Sequence, residues 1–116
     1  MARLGPGVQA YIDAIPAARR PLFERVHGIV LGAQPDAEVG LAYDMPAYRL
    51  GGRRLSIGVW AHGISVYGWR LDHDGGFLER HPELAHGRGT IRLSTQAAET
   101  IGDDERRALL GGALEP

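Results

Sequence analysis

The sequence predicts an α+β fold: an antiparallel sheet of about five strands, an N-terminal helix pair packed on one face, and a C-terminal helix. Three observations predict it. Apolar residues recur at helical spacing before position 34, apolar and polar residues alternate from about position 38, and Gly51-Gly52 separates two alternating runs. The length of 116 residues suits one domain. We therefore expect a single domain over 1–116, with its core over about 8–110.

Two helices are expected at the start of the chain. The first covers 8–15 and ends at Pro16, and its apolar stripe is Val8, Tyr11, Ile12 and Ile15. The second accepts Pro21 in its first turn, where a missing N–H costs little, and runs to about Ala33. Its stripe is Leu22, Val26, Ile29, Val30 and Ala33.

Four strands follow, over 38–43, 46–50, 53–60 and 64–69. Gly51-Gly52 and His62-Gly63 are interpreted as two-residue hairpin turns, which pair Tyr48 with Leu55 and Val59 with Val66. Because a residue before proline avoids helical backbone angles, Met45-Pro46 is expected to form a rigid corner where the chain enters the sheet.

The last third of the chain combines a loop, a strand and a helix. Residues 71–83 are predicted as loop and short helix, interrupted at 74–76, and residues 89–93 as the final strand. Asp103 is the expected N-cap of a closing helix that carries Leu109, Leu110 and Leu114. Gly111-Gly112 should weaken that helix, because glycine has a low helix propensity.

The predicted registers separate two unlike faces of the sheet. An aliphatic face, expected to pack on the helices, carries Tyr48, Leu55, Ile57, Val59, Ile64 and Val66. The opposite face mixes small residues, arginine and large aromatics: Ala47, Arg49, Arg54, Ser56, Gly58, Trp60, Ser65, Tyr67 and Trp69. Such a surface suits a flat ligand, an acid held by arginine, or a partner protein. Alternatively, the 71–88 segment and the C-terminal helix cover it.

Composition excludes several kinds of site. The absence of cysteine removes disulfides, zinc–thiolate sites, iron–sulfur clusters and cysteine nucleophiles. A net charge of −1 argues against a nucleic-acid partner. All 13 basic residues are arginine, and they are spread along the chain. No apolar run is long enough for a membrane span, and the N-terminus lacks a signal-peptide pattern, so we expect a cytoplasmic protein without a membrane partner.

Candidate catalytic and metal-binding patterns are sparse. Asp72-His73-Asp74 is the densest group of metal-ligand types, but neighbouring side chains of an extended chain point apart, so a solvated loop is the better interpretation. The serines lack the context of a nucleophile elbow. His86 to Thr90 lacks the spacing of a phosphate-binding loop. An enzyme is therefore the least favoured of three function classes.

Three motifs together resemble the YdhG-like family of bacterial proteins, a family of unknown function in which some members are described as frataxin-like iron chaperones. They are the 11–16 segment Tyr-Ile-Asp-Ala-Ile-Pro, the 43–48 segment Tyr-Asp-Met-Pro-Ala-Tyr, and the 87–93 segment Gly-Arg-Gly-Thr-Ile-Arg-Leu. The resemblance implies an α+β domain with an antiparallel sheet and, weakly, iron binding. The first two helices carry only Asp13 and Glu24 as acids, whereas frataxin-type iron binding uses a strongly acidic helix.

These arguments predict a non-catalytic module that binds a small molecule, an anion or iron. The alternative is a homodimer or other protein–protein module that uses the aromatic face. The expected ligand site combines that face with the two later motifs: Tyr43, Met45, Pro46, Tyr48, Trp60, Tyr67, Arg88, Gly89 and Thr90. Most of these residues are expected around one partly open cavity. Arg88 would supply a fixed positive charge, which favours an anion over a bare cation.

Overall fold

The chain forms one five-stranded antiparallel sheet with helices against one face, which confirms the predicted α+β fold. The computed structural model describes residues 4–70, 73–85 and 90–115. In chain order the elements are α1 (Val8–Asp13), α2 (Arg20–Ala33), β1 (Glu38–Ala42), β2 (Met45–Leu50), β3 (Arg53–Trp60), β4 (Gly63–Tyr67), α3 (Phe77–Arg80), a 3-10 turn (Pro82–Leu84), β5 (Thr90–Ser94), α4 (Thr95–Ala98) and α5 (Asp103–Ala113). The strand order is β1-β2-β3-β4-β5. No helix among the described residues is long and apolar enough to cross a membrane.

The core lies between the helices and the predicted aliphatic face of the sheet. Every member of that face is fully buried apart from Val59, which is half-buried. The helices contribute the other half of the core with Phe23, Val26, Val30, Leu109 and Leu110. The assignment of this face from the alternating pattern is therefore confirmed.

The first predicted hairpin is confirmed and the second is displaced. Tyr48 pairs with Leu55 around the Gly51-Gly52 turn. Val59, however, pairs with Ile64 rather than Val66, because the turn is at 61–62 and Gly63 already belongs to β4. A Cβ atom on Gly63 would stand 1.9 Å from the Leu93 carbonyl oxygen, so β4 and β5 approach closely there only because residue 63 is glycine. The change of two residues leaves each side chain on its predicted face.

Two other expectations near the sheet are wrong. Met45-Pro46 is not a corner: both residues lie within β2, and the turn before them is Tyr43-Asp44, with φ of 52° and 61°. Extended backbone equally satisfies the restriction on a residue before proline. Trp69 was predicted on the outer face, but its side chain packs against the core. The reason is Gly68, which follows the last residue of β4 and has a φ of 89° that redirects the chain.

The closing helix exists, but its N-cap is Gly102, and Asp103 is its first residue. The acidic residues at 103–105 fill its first turn, where carboxylates complement the helix dipole. Gly111-Gly112 does not interrupt the helix. A Cβ atom on Gly112 would stand 1.6 Å from the His73 carbonyl oxygen, and one on Gly111 would stand 2.9 Å from the Ala33 Cβ. The pair therefore permits close packing of α5, which offsets the weak helix propensity.

Candidate binding face

The face of the sheet opposite the helices carries most of the predicted site. We call it the outer face, and the strand registers place on it Glu38, Gly40, Ala42, Met45, Ala47, Arg49, Arg54, Ser56, Gly58, Trp60, Gly63, Ser65, Tyr67, Thr90, Arg92 and Ser94. The helices α1, α2, α3 and α5 bury side chains in the core on the other side. Among the described residues, Phe77 of the 73–85 segment and Leu109 of α5 pack into that core.

The small residues of the outer face are covered by larger neighbours on the same face. Ala47, Ser56 and Ser65 are 0%, 7% and 4% exposed, although no described helix lies above them. A Cβ atom on Gly58 would stand 3.4 Å from the Met45 Sδ and 3.8 Å from the Tyr67 ring, so these two side chains lie over Gly58. The outer face is therefore closely packed over its small residues. The predicted partly open cavity includes Arg88, which lies outside the described residues.

Two arginines extend over aromatic rings at this face. The Arg54 Cζ lies 5.7 Å from the centre of the Tyr43 ring, and the Arg92 Cζ lies 5.0 Å from the centre of the Trp60 ring. Contacts of this kind hold a guanidinium group in place without neutralising its charge. Each ring thus positions a cation and leaves it free to bind an anion.

The predicted site residues divide into three groups. Met45, Trp60, Tyr67 and Thr90 lie on the outer face, and Tyr43, which is 82% exposed, borders it from the β1–β2 turn. Pro46 and Tyr48 do not join them: Pro46 is buried opposite Leu41, and Tyr48 is fully buried beneath α2. Arg88 and Gly89 lie outside the described residues.

Tyr48 is a core residue that contacts α2. Its hydroxyl lies 2.8 Å from Nδ1 of His27 on α2, and burial raises the pKa of the phenol. Its ring stands in a series of neighbouring rings, with centre-to-centre separations of 5.7 to 6.2 Å, that includes Tyr11, Phe23 and His27. Tyr48 therefore attaches α2 to the sheet and is not accessible to a ligand on the outer face.

The arginines separate into a paired set and an unpaired set. Seven donate hydrogen bonds to a carboxylate or a backbone carbonyl: Arg19, Arg20, Arg25, Arg70, Arg80, Arg106 and Arg107. Among the described residues, the other four have no such partner, and all four lie on the sheet: Arg49, Arg53, Arg54 and Arg92. Spacing along the sequence does not reveal this set, because it depends on which carboxylates lie near each arginine in the folded chain.

Three of the unpaired arginines meet at the β2–β3 hairpin. Arg49 and Arg54 are cross-strand partners, and Arg53 begins β3 beside them. They border a shallow cleft of about 650 Å³, whose other lining residues are Asp36, Glu38, Leu50, Gly51 and Gly52. Glu38 faces Arg49 across β1 and β2, but no salt bridge within 4.0 Å joins them in the described part of the chain. The register places Arg53 on the opposite face, so at this end of the outer face Arg49 and Arg54 stand against the single acid Glu38.

A second cleft, of about 620 Å³, lies between the start of α2 and the start of α5. Its charges are already matched. Arg25 donates to both oxygens of Asp103 at 2.9 and 2.8 Å, and Arg106 donates to Asp103 at 3.2 Å and to the Ala98 carbonyl. The hydrogen bond from Arg25 lowers the pKa of the Asp103 carboxyl, which keeps it ionised. This network joins α2 to α5 and leaves little free charge for a ligand.

The residues described contain no group of three His, Asp or Glu side chains arranged to hold a metal ion. From the predicted Asp72-His73-Asp74 group, Asp72 lies outside the described residues. Asp74 is 3% exposed and accepts hydrogen bonds from the Gly76 and Leu78 amides at 2.9 and 3.2 Å. His73 contacts Arg70 and Glu115. Asp74 and His73 therefore support local structure.

Comparisons of the chain with models of protein families, with curated proteins and with solved structures found no match. The resemblance to the YdhG-like family thus stays a prediction that rests on the three sequence motifs. The outer face has to be interpreted from its own chemistry.

Proposed function

We propose that this protein is a non-catalytic binding module that holds an anionic partner on the outer face of its sheet. One observation carries the proposal: four arginines have no carboxylate or carbonyl partner among the described residues, all four belong to the sheet strands, and three of them, Arg49, Arg54 and Arg92, lie on the outer face. The strands themselves contain a single acidic residue, Glu38. Arginine presents a planar set of donors that fits carboxylate and phosphate oxygens in bidentate fashion.

The aromatic residues support the same function. Arg54 and Arg92 lie over Tyr43 and Trp60, which restricts the motion of long side chains that would otherwise lose entropy on binding. Holding a donor in its bound orientation strengthens binding, because less conformational freedom is lost when the ligand arrives.

Two alternatives are less well supported at this face. A two-fold homodimer through the outer face would bring arginines of both copies together, and juxtaposed like charges oppose association. A bare iron ion would be repelled by the same arginines. It would also need ligands from beyond the described residues to complete a group of three donors.

Calorimetric titration with a short linear polyphosphate tests the proposal. We expect binding that weakens with added salt and weakens at least tenfold in the double variant Arg49→Ala/Arg54→Ala. Arg107→Ala is the matched control, because Arg107 is exposed, lies on α5 and, among the described residues, pairs with Asp104 alone. Arg107→Ala removes one positive charge, whereas the double variant removes two. It should leave the affinity for polyphosphate within about twofold of the wild-type value.

Calorimetry and light scattering also distinguish the proposed anion-binding function from the iron module and from the protein–protein module. An equal loss of affinity in the Arg107→Ala control would contradict a site on the outer face, as would the absence of any anion binding. Tight uptake of Fe(II) without anion binding would favour the iron module. A concentration-dependent dimer in light scattering that the double arginine variant disrupts would favour the protein–protein module.

A further inference from the structure

We infer that the anionic partner is a single-stranded nucleic acid that crosses the outer face from the β2–β3 hairpin towards Trp60. This inference rests on the proposed function, because it assigns a chemical class to the anion bound there. Three features of the outer face select a polymer with flat bases over a small acid or an acidic peptide: the spacing of its cations, its openness and its aromatic residues.

The unpaired arginines of the outer face are too far apart to hold one small anion together, because Arg49 and Arg54 are neighbours near the hairpin whereas Arg92 lies on β5. Arg92 pairs with Ser65, which in turn pairs with Gly58, and Gly58 is four residues beyond Arg54 on β3. With about 3.4 Å per residue and about 4.8 Å between strands, the Cα atoms of Arg54 and Arg92 are roughly 16 Å apart. Their guanidinium groups also lie over different rings. An extended chain of charges fits this spacing.

The openness of the outer face favours a flexible strand. Its small residues are covered by neighbouring side chains, and no described helix forms a wall around it. Proteins that bind single strands use such open sheet surfaces, on which unpaired bases lie against side chains while the phosphates follow a basic path.

Aromatic side chains lie along the same path. Tyr43 is 82% exposed, and Tyr67 is half-buried between the strands that carry Arg54 and Arg92. Bases stack both on aromatic rings and on the planes of arginine guanidinium groups. An acidic peptide would use the cations and leave these rings without a matching group, so the aromatic residues distinguish the two polymers.

The net charge of −1 does not describe the local charge of this face. The acidic residues 103–105 lie at the start of α5, where Asp103 and Glu105 pair with Arg25 and Arg80 on the helical side. The outer face itself carries three arginines, Arg49, Arg54 and Arg92, and one acidic residue, Glu38. The net charge sums both sides of the molecule, whereas binding depends on the charge of the face that a ligand contacts.

Fluorescence anisotropy with three labelled probes tests the inference: an oligothymidine of twelve nucleotides, an abasic strand of the same charge, and a twelve-residue polyglutamate. We expect the oligothymidine to bind at least tenfold more tightly than either other probe. Tyr43→Ala should weaken oligothymidine binding roughly five- to hundred-fold, as expected for the loss of one stacked base. The same substitution should weaken binding of the abasic probe much less, because that probe loses only the support that the ring gives Arg54.

The variants distinguish this inference from the proposed function. Arg54→Ala should weaken both the oligothymidine and the abasic probe, whereas the Arg107→Ala control should weaken neither by more than about twofold. Equal affinity for the oligothymidine and abasic probes would overturn the nucleic-acid inference and leave the anion-binding function standing. Tighter binding of polyglutamate than of oligothymidine would also overturn the nucleic-acid inference, and it would identify an acidic protein segment as the anionic partner. If none of these probes nor linear polyphosphate binds, both proposals fail.

Discussion

Nδ1 of His27 on α2 lies 2.8 Å from the hydroxyl of Tyr48 on β2, and this contact joins the helical layer to the sheet. It also explains why the second aromatic residue of the 43–48 motif is not part of the outer face. The ring of Tyr48 fills the core, and its polar atom meets a partner there, as a buried hydroxyl requires.

The burial of His27 predicts a loss of stability in acid. Burial lowers the pKa of its imidazole, while the charge of Glu24 partly opposes that shift. Because the folded pKa is below the unfolded value near 6.5, the unfolded chain binds more protons below that pH. The contribution of neutral His27 to the free energy of unfolding is complete above about pH 6.5, and it is lost as the pH falls through the folded pKa. In the described part of the chain, the titratable groups that act on this ring are Tyr48 and Glu24.

We expect the free energy of unfolding of the wild type to fall more steeply between pH 7.5 and 5.5 than that of His27→Asn, which retains a polar atom near the Nδ1 position. Urea denaturation at each pH measures the free energy of unfolding of both proteins. The exposed His62 provides the control His62→Asn, which removes an imidazole and leaves the His27–Tyr48 contact in place. Equal slopes in the wild type and His27→Asn would show that His27 titrates as an exposed residue does.

Substitution of Ile57 tests the assignment of the two sheet faces. Ile57 is fully buried under the helices, so Ile57→Ala should lower the free energy of unfolding by about 2–5 kcal/mol. Ser56→Ala, one residue away on the outer face, should cost less than about 1 kcal/mol, because it removes a single oxygen and leaves no large cavity. Denaturant titration of both variants measures the difference. A cost near zero for Ile57→Ala would mean that the faces are inverted.

The β1–β2 turn predicts a stabilising substitution. Tyr43 and Asp44 both have positive φ, a conformation in which hairpins favour Asn-Gly. Asp44→Gly should therefore raise the free energy of unfolding by about 1 kcal/mol. Gly52→Ala is the opposite control: it places a side chain at φ 82° with no heavy atom within 4 Å, so only the backbone cost, about 1 kcal/mol, remains. Thermal melting compares the two, and a lower melting temperature for Asp44→Gly would contradict this turn assignment.

The local pattern was enough to predict the sheet faces, but close approaches between distant segments were not visible in it. Alternation placed Leu55, Ile57 and Val66 correctly, because a residue on a strand has only two faces to choose from. Gly63 was assigned to a turn on composition, whereas its role is to let β5 approach, a requirement that arises 30 residues later at Leu93. Trp69 was misplaced for a similar reason, because the positive φ of Gly68 redirects the chain.

The candidate site was predictable only in part. The registers were sufficient to place Met45, Trp60 and Tyr67 together, and they already aligned Arg49 with Arg54. Whether an arginine is free depends on where the carboxylates come to lie. Arg25 is paired because folding brings Asp103, 78 residues away, within 2.8 Å. No local pattern contains that information, so the contrast between paired and unpaired arginines required the structure.

The most direct test of an anion-binding outer face is a two-dimensional NMR titration of the ¹⁵N-labelled protein with linear polyphosphate, observing backbone amides and arginine Nε–H groups. The predicted result is that the Nε–H signals of Arg49, Arg54 and Arg92 shift together with the amides of Gly51 and Gly52. The signals of Arg25 and Arg106, in the cleft between α2 and α5, should remain in place. Shifts confined to Arg25 and Arg106, or no shift on the outer face at saturating polyphosphate, would contradict the account.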